Sequence, residues 1–217
     1  MNYFKKISVL VLSSVLIFLC GCSSVPKQNI RIPVDIESSG AIRDENGSII
    51  LSCKLLDKGL MTAEQLSAWF ISERPLCNKN QIKRLAKYYV IEANAEGINS
   101  DVAFAQMCLE TGYLEFGNLV VPKMHNYCGL GAMDKDHPGE WFKTEQIGVR
   151  AHIQHLQAYA TTSEVALNQS LVDPRYSWVH KTKFAEDIYG LAGVWATDTL
   201  YAEKINAILI KMASFLE

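Results

Sequence analysis

Apolar residues are spaced along this chain in two rhythms. From about residue 60 onward they recur every three or four positions, the period of a helix with one buried face. Thr62 with Gln65 three residues later forms a capping-box pattern, opening a helix that stops before Pro75. Ile82, Leu85, Ala86, Tyr89 and Ala93 mark a second amphipathic helix, closed by Gly97. Ser100 can cap a third, from Asp101 to about Thr111. Val149, Ile153, Leu156 and Ala160 mark a fourth. Ile205, Ile208, Leu209, Met212 and Leu216 mark a last one, capped near Thr197 or Asp198. Between about Val120 and Thr144 the rhythm is lost among Gly, Pro, Asp and His, with β-compatible pieces at 127–132 and 141–143. The pattern predicts a mostly α fold with a small β-hairpin or loop lobe set into it.

The other rhythm is a solid apolar run from Ile7 to Leu19, broken only by serines and preceded by Lys5 and Lys6. It is too short for the roughly 20 residues of a permanent membrane helix, so residues 1–21 are expected to be a signal peptide. Leu19-Cys20-Gly21-Cys22 resembles the bacterial lipobox, in which the final cysteine is acylated and becomes the mature N-terminus. The resemblance implies lipidation at Cys22 and a membrane partner; plain cleavage with a free Cys22 is the alternative. Residues 22–55, with Ser38-Ser39-Gly40 and Asn46-Gly47, have little helical periodicity and are expected to form a tether. Residues 56–217 remain for one domain.

Composition narrows the function classes. The 217 residues carry a formal net charge of −2, with 20% charged and 10% aromatic residues. There is no clustered basic face for nucleic acid, and the chain has enough apolar residues to bury a core. Removing residues 1–21 takes two of the 21 basic residues and none of the 23 acids, leaving −4. Charge alone would then not hold the protein to anionic lipid, and the acyl chains must do the anchoring. In an oxidising compartment Cys53, Cys77, Cys108 and Cys128 can pair, and proximity suggests Cys53 with Cys77 and Cys108 with Cys128; buried free thiols are the alternative.

The segment from Val102 to Tyr113 carries the most chemical information. For two turns it is apolar nearly all round, interrupted by Gln106, and it then ends on Glu110. A helix of that kind runs through a core. A carboxyl at its end is partly desolvated and sits at the negative end of the helix dipole, and both effects favour the neutral acid. An acid kept neutral near pH 7 is what protonating a glycosidic oxygen requires. Gln106 shares a stripe with Glu110 and can orient it. A glutamate emerging into solvent is the competing reading.

Three segments in order resemble the bacterial glucosaminidase domain of glycoside hydrolase family 73. They are Gln106 to Gly112, Asn126-Tyr127-Cys128-Gly129-Leu130, and Trp195-Ala196-Thr197-Asp198 running on to Tyr201-Ala202-Glu203-Lys204-Ile205. The likeness runs from about residue 80 to the C-terminus. It implies a lysozyme-like fold and an endo-β-N-acetylglucosaminidase that cuts peptidoglycan with no cofactor. Glu110 then matches the general acid, Tyr201 a cleft tyrosine, and Asn126 with Gly129 the turn beneath the substrate. Tyr127, Gln106 and Trp195 are expected beside the substrate. The chain departs from the family pattern at Trp195, where Tyr is frequent, and at Cys128, where Phe is frequent.

Most glycosidases need a second carboxyl. Candidates are Asp134, Asp136, Glu140 and Glu145; Glu140 leads because it adjoins Trp141 and Phe142, aromatics able to stack on a sugar. The substrate's own N-acetyl group, oriented by Tyr201, is another route. His152 and His155, three apart on a helix, lack the third ligand of a zinc site and are expected to be packing or surface residues. His125 next to Asn126 can line the cleft, and Tyr113, Trp178 and Tyr189 can be sugar platforms or core. The competing functions are a lytic transglycosylase or muramidase on the same scaffold, and a non-catalytic peptidoglycan-binding lipoprotein. A periplasm-facing outer-membrane location is expected if the envelope has two membranes.

Overall fold

The computed structural model of the chain describes residues 42–162 and 165–217. The expected signal peptide, the lipidation site Cys22 and most of the expected tether lie outside the described residues.

Seven α-helices occur among them. Helix α1 (Ala63–Glu73) opens on the capping box that Thr62 and Gln65 predict, with each side chain bonded to the other residue's backbone N–H. Helix α2 (Lys79–Glu96) starts at Asn78 and stops at Gly97, whose left-handed φ of 71° ends the helix without a Cβ penalty. Helix α3 (Ser100–Glu110) is capped one residue earlier than the sequence pattern suggests, because the Asn99 side chain accepts the N–H groups of Asp101 and Val102. Helix α4 (Glu145–Ala160) is capped by Thr144. Two short helices, α5 (Tyr176–Thr182) and α6 (Ile188–Leu191), precede α7 (Tyr201–Phe215). Asp198 does not cap α7 directly; its carboxylate accepts the N–H of Leu200, holding the turn that leads into the helix.

Helix α3 is the axis of the molecule. All nine residues from Ser100 to Cys108 are buried, and α2, α4 and α7 pack around them. Phe104 sits edge-on to Trp69, Phe70 and Tyr89, an aromatic cluster that joins α1, α2 and α3. Glu92 of α2, 1% exposed, receives a two-pronged bond from Arg150 and another bond from Gln146, which ties α2 to α4.

The expected tether needs correction. The segment 42–55 is not all tether. Ile42–Arg43 (β1) and Ile49–Ile50 (β2) form an antiparallel hairpin, with Ile42 opposite Ile50, around Gly47. Ile49, Leu51 and Leu55 lie in the core. Ile49, Leu51, Cys53 and Leu55 recur at every second position, the rhythm of an extended segment, and the Asn99 side chain donates to the carbonyls of Ser52 and Lys54 to hold it in place. The lobe expected at 120–144 is present, and of the two forms the pattern allowed it takes the loop. It contains a 3-10 turn (Pro122–Met124) and one isolated bridge, Ala132 to Pro138. The lobe lies directly against α4 at Gly148, where an added Cβ would stand 1.8 Å from the His125 carbonyl oxygen.

The four described cysteines do not pair. Cys53, Cys77, Cys108 and Cys128 are free thiols. Cys108 belongs to the main core and Cys128 to a separate small cluster with Leu130 and Ala151. The Cys53 thiol instead donates to Asn206.

Candidate active site

Glu110 is the last residue of α3, where the helix leaves the core, and it is half-buried. The chain then turns through Gly112, Tyr113 and Leu114 at φ of 57°, 59° and 66°. Two of these are non-glycine residues in the left-handed region, a costly run held by the Thr111 hydroxyl, which accepts from Leu114 N and donates to the Met107 carbonyl.

The carboxyl is held asymmetrically. Its Oε1 accepts from Trp195 Nε1 at 3.0 Å and from the Tyr201 hydroxyl. Its Oε2 lies on the side of Gly129, where a Cβ would come within 3.7 Å of it. No hydrogen bond from the described residues reaches Oε2. Burial raises the Glu110 carboxyl above its ordinary range, and the bonds from Tyr201 and Trp195 pull partly the other way. Burial and the adjoining Glu110 push the Tyr201 phenol well up, so this hydroxyl stays neutral and donates.

Opposite Glu110 runs Gly129-Leu130-Gly131. Asn126, fully buried, fastens this turn by accepting from Leu130 N at 2.9 Å and donating to the Leu130 and Glu140 carbonyls. The Glu140 N–H closes the arrangement on the Leu130 carbonyl. At Gly131 a Cβ would stand 3.1 Å from Glu140 Oε1, so Glu110 and Glu140 flank alternate residues of one glycine turn. The other loop acids are occupied elsewhere. Asp134 bonds His137 and the N–H of Asp136, and His137 holds its carboxyl below the usual range. Asp136 is exposed. Glu145 opens α4 and pairs with Arg84 and Gln81 of α2.

The other residues named from the sequence divide between buried and exposed positions. Gln106 and Tyr127 are buried, at 0% and 1% exposure, and Asn126 works entirely within the turn. Trp141 is exposed, with Lys123 over its ring, while Trp195 is half-buried against His155 and Tyr159. The His125 Nδ1–H donates to the Phe142 carbonyl and pins the base of the lobe. Tyr113 packs with Trp69 and Phe70 under Arg74, whereas Trp178 and Tyr189 are exposed.

Sequence reasoning missed what lies behind the carboxyl. His152 is fully buried between the Tyr89 hydroxyl and Gln106 Oε1, each at 2.9 Å. His155 pairs with buried Asp173 at 2.8 Å and presents its ring to Trp195. The two-histidine spacing on α4 was the visible signal, and its partners are 18 to 63 residues away in sequence. Among the described residues no three His, Cys, Asp or Glu side chains converge as a metal site. A cavity of about 550 Å³ opens at the opposite end of α3, around Asp101, and is separate from Glu110.

Residues 86–214 match the family model named Glucosaminidase, described as mannosyl-glycoprotein endo-beta-N-acetylglucosaminidase. A protein of Borreliella burgdorferi, described as uncharacterized, is 38% identical over 161 residues, which cover 74% of this chain and 78% of the relative. No solved structure matches the chain significantly. The matched span contains Glu110, the glycine turn, both α4 histidines, Trp195 and Tyr201, and the chain belongs to the glucosaminidase family.

Proposed function

We propose that this protein is a peptidoglycan hydrolase, an endo-β-N-acetylglucosaminidase that cleaves the glycan strand on the reducing side of N-acetylglucosamine. The observation that supports this reading best is the asymmetric hold on Glu110. Its carboxyl is biased toward the neutral acid by burial, one oxygen is tied to two donors, and the other is left toward the glycine turn. In this reading Glu110 protonates the leaving oxygen. Glu140, across the turn, stabilises the developing positive charge or activates water, and Tyr201 holds Glu110 while bordering the reacting sugar. Trp141 offers an exposed ring for a sugar face. No cofactor takes part. Attachment to a membrane through a lipid on Cys22, facing the periplasm or wall, belongs to the same proposal and rests on the lipobox resemblance.

The test is a zymogram on purified sacculi with mass analysis of the products. The wild type should clear the gel and release reducing-end N-acetylglucosamine. Glu110→Gln should lose activity by about 10² to 10⁴-fold, the contribution of a positioned acid, and Glu140→Gln should also lose activity. Anhydromuramic or reducing-end muramic acid would instead identify a transglycosylase or muramidase. Retained wall binding with no digestion by the wild type would identify a binding protein, and cleavage of a mannosyl glycoprotein but not of sacculi would overturn the substrate.

A further inference from the structure

Behind Glu110 a single file of hydrogen bonds leads back into the core. The Gln106 amide Nε2 donates to the Tyr201 oxygen at 2.8 Å, and Tyr201 donates to Glu110 Oε1. The amide's other end, Oε1, can only accept, so His152 Nε2 must carry a hydrogen and donate to it at 2.9 Å. Burial and the neighbouring His155 push the His152 imidazole down to about 3, so the ring is neutral and its Nδ1 bears a lone pair. The Tyr89 hydroxyl then donates to that lone pair at 2.9 Å. Tyr89, His152 and Gln106 are each fully buried, which leaves these groups no water to turn to.

Every donor in this file points toward Glu110. Because Gln106 donates to Tyr201, the Tyr201 hydrogen is committed to Oε1; Trp195 adds a second donor there. A proton arriving at Glu110 therefore has its favoured seat on Oε2. Running the file backward needs four changes together: the Tyr201 hydroxyl rotated toward Gln106, the buried amide turned over, the imidazole hydrogen moved to Nδ1, and the Tyr89 hydroxyl rotated. Tyr201 would then accept, and Glu110 would place its proton on Oε1, facing inward.

We propose that His152, backed by Tyr89, is a positioning residue that fixes the direction of the hydrogen bonds reaching Glu110 and so keeps the acid's proton on Oε2, the oxygen beside the glycine turn. This rests on the reading of Glu110 as the proton donor. The two α4 histidines thereby divide the support of one carboxyl oxygen. His152 sets the direction of Tyr201, and His155, held by Asp173, carries the ring of Trp195.

Two measurements on the full chain test the proposal. Nitrogen-15 NMR of the wild type should show His152 as the neutral Nε2–H tautomer; an Nδ1–H tautomer overturns the proposal, whether or not Glu110 proves to be the acid. In kinetics on sacculi, His152→Phe should lower kcat by about ten- to a hundredfold with KM nearly unchanged, a share of the roughly 10² to 10⁴-fold that general acid catalysis contributes. His152→Gln, whose Nε2 can take the place of the imidazole Nε2 and donate to Gln106, should recover most of the loss. Wild-type kcat in a folded His152→Phe, or equal loss in both variants at matched melting temperature, overturns it. An active Glu110→Gln sinks the functional reading instead, and leaves the tautomer to decide the direction of the file.

Discussion

Trp195 shows how one side chain can serve packing and electrostatics at once. Its ring fills the space between His152, His155 and Tyr159, and its single N–H is aimed at Glu110 Oε1. That N–H favours the ionised carboxylate, opposing the burial that favours the acid. Trp195→Phe retains most of the ring contact and removes the donor. The Glu110 carboxyl should then rise further. Activity that depends on its protonated form, and fails as pH rises through the carboxyl's titration, should persist to higher pH. The basic limb of a kcat/KM profile reads this shift, and a limb that stayed in place or moved to lower pH would contradict it. Thermal melting should fall by the equivalent of about 1 to 2 kcal/mol for the lost bond.

Between elements, the close approach of the lobe to α4 depends on Gly148. In an ordinary exposed helix Gly→Ala stabilises, because alanine is the better helix former by about 1 kcal/mol. Here the sign should reverse. A Cβ at 148 meets the His125 backbone 1.8 Å away, so Gly148→Ala should cost about 1 to 3 kcal/mol as overpacking and displace the lobe that carries Glu140. Melting temperature and wall digestion should fall together; a more stable variant would refute the contact. At this scale the local signals were readable. Thr62 with Gln65, and Gly97, each state a helix end within four residues, and α1 and α2 begin or stop there. Glu110 was readable for a related reason, since a carboxyl ending an apolar helix is a local anomaly. The place of the lobe was readable from the lost helical rhythm, but its internal bonding was not, because Asn126 builds it by bonding to Leu130 and Glu140 with no strand period to announce it. Nor were the partners of His152, which the fold brings from α2 and α3.

At the scale of the whole molecule, the N-terminal segment is laced to the helical body by the start of α3. Asp101, 1% exposed, accepts the N–H groups of Leu60 and Met61. Burial nonetheless lifts its carboxyl to about 7. The folded protein then keeps a proton there that the unfolded chain gives up near pH 4. Between those values the folded state binds more protons, so stability should fall as pH rises from about 4 to about 7 and level off above. Asp101→Asn retains an acceptor oxygen and should flatten that slope, measured as melting temperature at pH 5 against pH 7.5. A slope unchanged by the substitution would assign it to another group. The same long-range construction governs when Glu110 becomes usable. Its two partners stand 85 and 91 residues further along the chain. A growing polypeptide that has made α3 and α4 still lacks both, so the site is completed only when the last helix has been synthesised and docked. Until Trp195 and α7 dock, the carboxyl that ends α3 has neither of its two hydrogen bonds, so the state of Glu110 reports on the closure of the whole domain.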